Sequence, residues 1–169
     1  DHVDLGWLTQ LIEREGAGIL QMLWRLLGRE QDVLDAYQDC FCKLAARRRR
    51  GNLRSVRAYA YRTAANIAIE MIRVRRRRAA HRPVIAAERS DTRADDGGEG
   101  ESEHRLARLR DAIARLPTHL RNVVVLRDLS RMSYSEVARM LGIEPTTARV
   151  YRHHAVVKLA EFLSEGDES

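Results

Sequence analysis

Residues 59 to 78, "YAYRTAANIAIEMIRVRRRR", place Tyr59, Arg62, Asn66, Glu70 and Arg73 at steps of three and four. On a helix that spacing lines them up as one ridge. An aromatic face stacks on an unpaired base, an amide bonds to base edges, and guanidinium groups take phosphates, so the ridge has the equipment of a single-strand platform. Arg75, Arg76, Arg77 and Arg78 follow at once. Four consecutive arginines repel one another and point all round a helix, so packing does not call for them, whereas a phosphate backbone binds them with release of counterions. Arg76 and Arg77 therefore join Tyr59, Arg62, Asn66 and Arg73 as candidate strand-binding residues.

A second chemistry-bearing pattern lies in "SYSEVARMLGIEPTTARVYRHHAVVKLAEFL". Ser133 and Glu136 have the spacing of a capping box, and Tyr134, Val137, Ala138 and Leu141 follow at i, i+3, i+4, i+7. Gly142 suits a left-handed stop, Ile143 can plug the corner, and Pro145 stands where a first helical position tolerates a missing N–H. The pattern predicts a helix-turn-helix. Its second helix, about 145 to 163, turns Ala148, Tyr151, Ala155 and Leu159 inward. Thr146, Thr147, Arg149, Arg152, His153 and His154 are then available in the half that enters a major groove.

The third pattern is acidic. In "DVLDAYQDCFCKLA" (32 to 45), Val33, Tyr37, Phe41 and Leu44 form a core-facing stripe, and Asp32, Asp35, Gln38 and Asp39 share the opposite side. Such a face is either solvated or a dock for a basic partner. Cys40 and Cys42 point about 200° apart on a helix, which excludes a disulfide between them and, with no His at ligand spacing, argues against zinc. No metal and no cofactor is expected. The chain shows no clustered carboxylates and no activated nucleophile, so it does not read as an enzyme.

Helices must position all of this. No run of residues alternates apolar with polar as a half-buried strand does, and helical spacing recurs throughout, so the fold class is all-α. The 169 residues, 44% hydrophobic, can bury a core and hold one or two domains. The net charge of +6 is segregated. Residues 47 to 89 carry 14 basic against 2 acidic side chains, net +12, and residues 90 to 103 carry 1 against 6, net -5. A polyanion-binding surface next to a polar connector fits that division. We expect two small helical domains, 1–78 and 104–169, joined by a flexible acidic linker, 79–103, whose "SDTRADDGGEGESE" cannot bury enough surface to fold alone. No segment has membrane length, and "DHVDLG" lacks the basic-then-apolar layout of a signal peptide, so a cytoplasmic location is expected.

With both blocks in view, residues 5 to 163 resemble the extracytoplasmic-function subfamily of bacterial sigma factors, the promoter-recognition subunits of RNA polymerase. "DVLDAYQDCF" looks like the family's polymerase-binding helix, with Asp32, Asp35, Gln38 and Phe41 in its Asp-x-x-Asp-x-x-Gln-x-x-Phe frame. "VRAYAYRTAANIAIEMIRVRRRR" is similar to the helix that melts the promoter and recognises its -10 element, with Asn66 and Arg73 in place. "LPTHLRNVVVLRDLSRMSYSEVARMLGIEPTTARVYRHHAVVKL" looks like the -35-binding domain, matching at Leu116, Pro117, Arg121, Arg127, Glu136, Gly142 and Thr147 among others.

The resemblance implies that core RNA polymerase docks on Asp32, Asp35, Gln38, Asp39 and Phe41. It also implies that the ridge takes the separated -10 strand, that the 145 to 163 helix reads -35 duplex, and that an anti-sigma factor is a further partner. The loop "RRRRGNLRS" (47 to 55), with Gly51 and Asn52 allowing its turn, corresponds to a segment that holds a flipped -10 base. The acidic linker would thread the polymerase interior. Four positions depart from the family's habit: Tyr59 for Trp, Glu70 for Asp, Arg152 at a usually apolar position and His154 at a usually basic one. Another reading of the same residues is a dimeric helix-turn-helix regulator that works without polymerase. It predicts a palindromic site and tight duplex binding by the chain alone.

Overall fold

A computed structural model describes residues 6–48, 55–81 and 99–165. They form seven α-helices: α1 Gly6–Leu27, α2 Glu30–Arg48, α3 Val56–Ala80, α4 Glu99–Arg115, α5 Thr118–Val124, α6 Tyr134–Leu141 and α7 Pro145–Glu165. A π-helical segment, Val125–Leu129, runs on from α5. No strand occurs among the described residues, and none of their helices is long and apolar enough to cross a membrane. The all-α expectation holds.

α1, α2 and α3 form the first bundle. α1 presents Ile19, Met22, Leu23 and Leu26 at steps of three and four, all fully buried, against Val33, Ala36, Cys40 and Leu44 of α2. α3 contributes mostly alanine: Ala60, Ala64 and Ala68 are buried beside Tyr61, Ile69 and Ile72. Along α3 the steps of three and four through Val56, Ala60, Ala64, Ile67, Met71 and Val74 predict one inward stripe, and the structure follows it only in part. Ala60 and Ala64 are inward, but Val56, Ile67, Met71 and Val74 are only half-buried. α3 is covered by α1, α2 and α4, so its buried arc is wider than a single row, and alanines on several faces left the row's direction ambiguous.

α4 to α7 form the second body. Leu116, Leu120 and Val124 pack with Ala155 of α7, while Val123 and Leu126 join the same cluster as Val137 and Ala148. Among these apolar groups sits one cation, Arg121, 6% exposed, whose Nη1 donates to Leu116 O at 3.2 Å. Burial lowers its hold on the proton, and the nearby Arg73 adds to that.

The expected bounds of the connector change. α3 continues to Ala80 and α4 begins at Glu99, so residues 79–80 and 99–103 belong to helices and not to an unstructured linker. Residues 82–98 lie outside the described residues. The two bodies also touch. One apolar cluster runs from Leu11, Ile19 and Ile72 through Ile113, Val123 and Leu126 to Val137 and Ala148.

Candidate nucleic-acid interface

α3 starts on a side-chain cap, Ser55 Oγ accepting from the Ala58 N–H at 3.2 Å. That satisfies one of the orphan donors of the first turn and sets the helix register. Along its ridge Arg62 and Asn66 are exposed, while Tyr59 is half-buried at the edge of the core. Arg73 is exposed as well, with its Nη2 donating to Ala114 O of α4 at 3.1 Å. Of the four-arginine run, Arg75 pairs with Asp32 of α2, Arg77 bridges to Glu70 at 2.9 Å, and Arg76 and Arg78 are exposed. Gly51 and Asn52 lie outside the described residues. Part of the ridge's charge is already engaged within the chain.

The helix-turn-helix is built as its residues predict. Ser133 Oγ accepts from the Glu136 N–H at 3.2 Å, and Glu136 Oε2 accepts from the Ser133 N–H at 2.9 Å, completing the capping box. The Ser133 N–H and the Ser133 hydroxyl, which donates to Glu136 Oε2 at 3.0 Å, hold the Glu136 carboxyl below the usual range, the backbone N–H contributing most. Gly142 takes φ 68° and ψ 37°, the left-handed conformation that L side chains disfavour, and the Ile143 N–H closes on Ala138 O at 3.0 Å. Pro145 opens α7. Ala148 and Ala155 are buried and Tyr151 and Leu159 half-buried, so the face carrying Thr146, Arg149, His153 and His154 looks outward.

Arg152 is placed differently from the expectation that it reads bases. Its Nε lies 2.9 and 3.0 Å from the two carboxylate oxygens of Asp128, and its Nη2 lies 2.9 Å from one of them. Hydrogen bonds that Arg152 donates to Asp128, and the negative charge of that carboxylate, raise the hold of Arg152 on its proton. The fork geometry explains how a cation occupies a position where the family prefers an apolar residue: it clamps α7 to the π-helical segment. Beside it Arg127 and Arg149 lie over the Tyr134 ring at 4.7 and 5.1 Å, and Arg127 donates to Met132 O at 2.8 Å.

On α2, Asp35 and Gln38 are exposed, Asp39 pairs with Lys43 at 2.9 Å, and Asp32 is half-buried under Arg75. Phe41 is 7% exposed and packs edge-on against Tyr37, ring centres 4.8 Å apart. It shapes the helix from beneath and offers a docking partner almost no surface. The two cysteines divide as their spacing implies: Cys42 is exposed, and Cys40 is buried with Sγ 3.5 Å from Ala60 O. Burial pushes the Cys40 thiol up to about 12, so it stays protonated. No group of three or more potential metal ligands occurs among the described residues.

Sequence reasoning missed Arg57, Arg25 and Tyr61. Tyr61 is buried, and burial with the neighbouring Glu15 raises its hydroxyl to about 12. Arg57 Nε stands 2.9 Å from Glu15 of α1, and its Nη1 stands 3.6 Å from Glu136 of α6. Burial works against its charge, but Glu15 outweighs that and holds it protonated. Arg25 of α1 donates through Nη1 to Leu129 O at the end of the π-helical segment. No periodic signal marks such residues, because their partners lie as far as 104 positions away.

Comparison with known proteins follows this geometry. The profile of sigma-70 region 2 matches residues 11–78, and that of sigma-70 region 4 matches residues 106–159. The ECF RNA polymerase sigma factor SigE of Mycolicibacterium smegmatis is 25% identical over 159 residues, 92% of this chain. The chain spans 61% of that relative's length. Among solved structures, CnrH in complex with the cytosolic domain of CnrY is similar with a TM-score of 0.53 and 24% identity, over 93% of this chain and 87% of that one. The sigma factor RpoE in complex with the anti-sigma factor NepR, from Bartonella quintana, gives 0.51 and 18%, over 95% and 98%. At these identities the two structures establish a shared fold.

Proposed function

Since the chain belongs to the extracytoplasmic-function branch of the sigma-70 family, we propose that it is an alternative sigma factor that binds core RNA polymerase and directs promoter-specific initiation. In this reading the outer face of α7, with exposed Thr146, Arg149, His153 and His154 and half-buried Thr147, reads -35 duplex from the major groove. Arg152 positions that helix through Asp128. Tyr59, Arg62, Asn66, Arg73, Arg76 and Arg77 on α3 capture the separated -10 strand, with Gly51 and Asn52 in the preceding loop. Capture matters because breaking stacked pairs costs about 1.4 kcal/mol per step, which trapped bases help offset. Asp35, Gln38 and Asp39 offer polymerase an acidic face, flanked by Asp32. The mechanism is binding and contains no catalytic step.

The observation that carries this reading is the pairing, in one chain, of a capped helix-turn-helix with an outward basic second helix and a bundle helix whose exposed side is Arg62, Asn66 and Arg76. Like the RpoE structure, which holds an anti-sigma factor, this chain would be restrained by an anti-sigma partner until induction.

Replacing Arg76 and Arg77 together by Ala tests the platform. Open-complex formation with core polymerase should weaken, and the slope of its logarithm against log salt should fall by about one to two. Unchanged values of both would remove the platform. Gel shift with and without core enzyme separates this function from the dimeric regulator: duplex binding at full strength by the chain alone, as a dimer, would favour the regulator.

A further inference from the structure

Three guanidinium groups gather where the π-helical segment, α6 and α7 meet, and two of them are already engaged. Arg152 fills its fork with Asp128, and Arg127 donates to Met132 O at 2.8 Å. Arg149 is exposed on the outer side of α7, and its N–H donors have no carboxylate or carbonyl partner among the described residues. It does have an aromatic support. The guanidinium carbon of Arg149 lies 5.1 Å from the centre of the Tyr134 ring, and that of Arg127 lies 4.7 Å from the same centre.

The ring is itself held by local structure. Tyr134 is the first residue of α6, directly after the Ser133 cap, and is half-buried against the apolar cluster. The capping box fixes the backbone beneath it, and the Met132 N–H, bonded to Leu126 O at 3.1 Å, fixes the turn before it. A guanidinium near an aromatic face is drawn to the ring quadrupole, while its own N–H donors lie in the guanidinium plane and remain available. Arg149 stands in the N-terminal half of α7, the half of a second helix that reaches base edges. A planar fork of donors matches the O6 and N7 acceptors that guanine alone presents together in the major groove.

We propose that Arg149 reads a guanine of the duplex and that Tyr134 is its positioning residue, holding the guanidinium in place before DNA arrives. The proposal rests on the assignment of α7 to duplex reading, and adds the base that one side chain takes and the residue outside α7 that tunes it. An arginine without such a support loses more rotamer freedom when it engages a base. That extra cost falls only on a duplex whose acceptors order the fork. Loss of the ring should therefore weaken binding to guanine more than binding to a base that lacks N7, which a general loss of folding would not do.

The test uses the full chain reconstituted with core polymerase. Duplexes that this holoenzyme selects from a randomised library supply the probes. In them 7-deazaguanine, which carries C–H in place of the N7 acceptor, replaces each guanine upstream of the melted segment in turn. For the parent, one such replacement should weaken binding about tenfold, within the range of a bidentate base contact. Arg149→Ala should bring that ratio to about one. Tyr134→Leu should reduce it about threefold, the size of an exposed cation–π contact, whereas Tyr134→Phe, which keeps the ring face, should retain it. Circular dichroism should match across these proteins, and should Tyr134→Leu lose helix, Tyr134→Met takes its place. A parent indifferent to 7-deazaguanine at every position, or an Arg149→Ala chain that keeps the tenfold ratio, overturns the guanine contact. A Tyr134→Leu chain that weakens every duplex alike and keeps the ratio overturns the positioning role. If the holoenzyme enriches no upstream duplex sequence at all, the assignment of α7 fails and the proposal with it.

Discussion

Glu136 is the residue at which local and long-range structure meet. Its carboxylate completes the capping box with Ser133 and also faces Arg57 across the two bodies. Because the folded form holds this carboxyl below its ordinary value, its contribution is fully present above the unfolded pKa of about 4.3 and disappears as pH falls through the lower folded value. The parent should therefore be more resistant to denaturant than Glu136→Gln at pH 6, with the gap between their midpoints narrowing toward pH 3.5. A gap independent of pH would show that the charge at this position does not stabilise the fold. Arg152 teaches a second lesson at this scale. An arginine on the expected reading face is drawn to a carboxylate 24 residues away, and its fork is filled before DNA arrives. Residue type alone does not distinguish a base reader from a clamp.

At the scale of elements, α1 and α3 approach closely because α1 carries glycine where α3 carries tyrosine. A Cβ added at Gly18 would collide with the Tyr61 hydroxyl, and Tyr61 is 4% exposed with Arg57 above its ring. Its rigid ring cannot fold away, so Gly18→Ala should part the two helices and cost about 1 to 3 kcal/mol in denaturant unfolding. Gly100 on α4 is the control, since a Cβ there meets nothing within 4 Å. Ala at that exposed helical site should stabilise by up to about 1 kcal/mol through helix propensity. Equal effects at both sites would mean that the Tyr61 contact does not govern the packing. The legible elements were those with local punctuation. Ser133, Glu136, Gly142 and Pro145 marked α6, its stop and the start of α7, because caps and left-handed turns depend on neighbours a few positions away. The inward face of α3 was less legible, because its alanines fit several packings and the helix is covered from more than one direction.

At the scale of the whole molecule, the acidic stretch from 90 to 103 gains a new boundary. Glu99, Glu101 and Glu103 fall on α4, where Glu103 pairs with Arg110 at 3.0 Å and Arg110 Nε in turn bonds Arg25 O at 3.0 Å. If the stretch threads the polymerase interior, replacing Asp91, Asp95, Asp96, Glu99, Glu101 and Glu103 with Ser should reduce initiation in a reconstituted transcription assay more than it reduces affinity for core polymerase. Unchanged initiation would deny the stretch that role. The contact between the bodies also sets a requirement. If the chain engages two elements some 25 base pairs apart, about 85 Å along a duplex axis, its bodies, which share an apolar cluster, must part first.

The helical class, the helix-turn-helix, the basic ridge and the acidic face were determined by the sequence itself, since period, caps and blocks of charge act over a turn or two and survive without a partner. Which arginines stay exposed, which are clamped by Asp32, Asp128 or Glu136, and which side of α3 the second body covers were decided only by the tertiary structure. Those pairings join residues 24 to 79 positions apart with no periodic signature, and a guanidinium chooses among many carboxylates only when the fold brings one within reach.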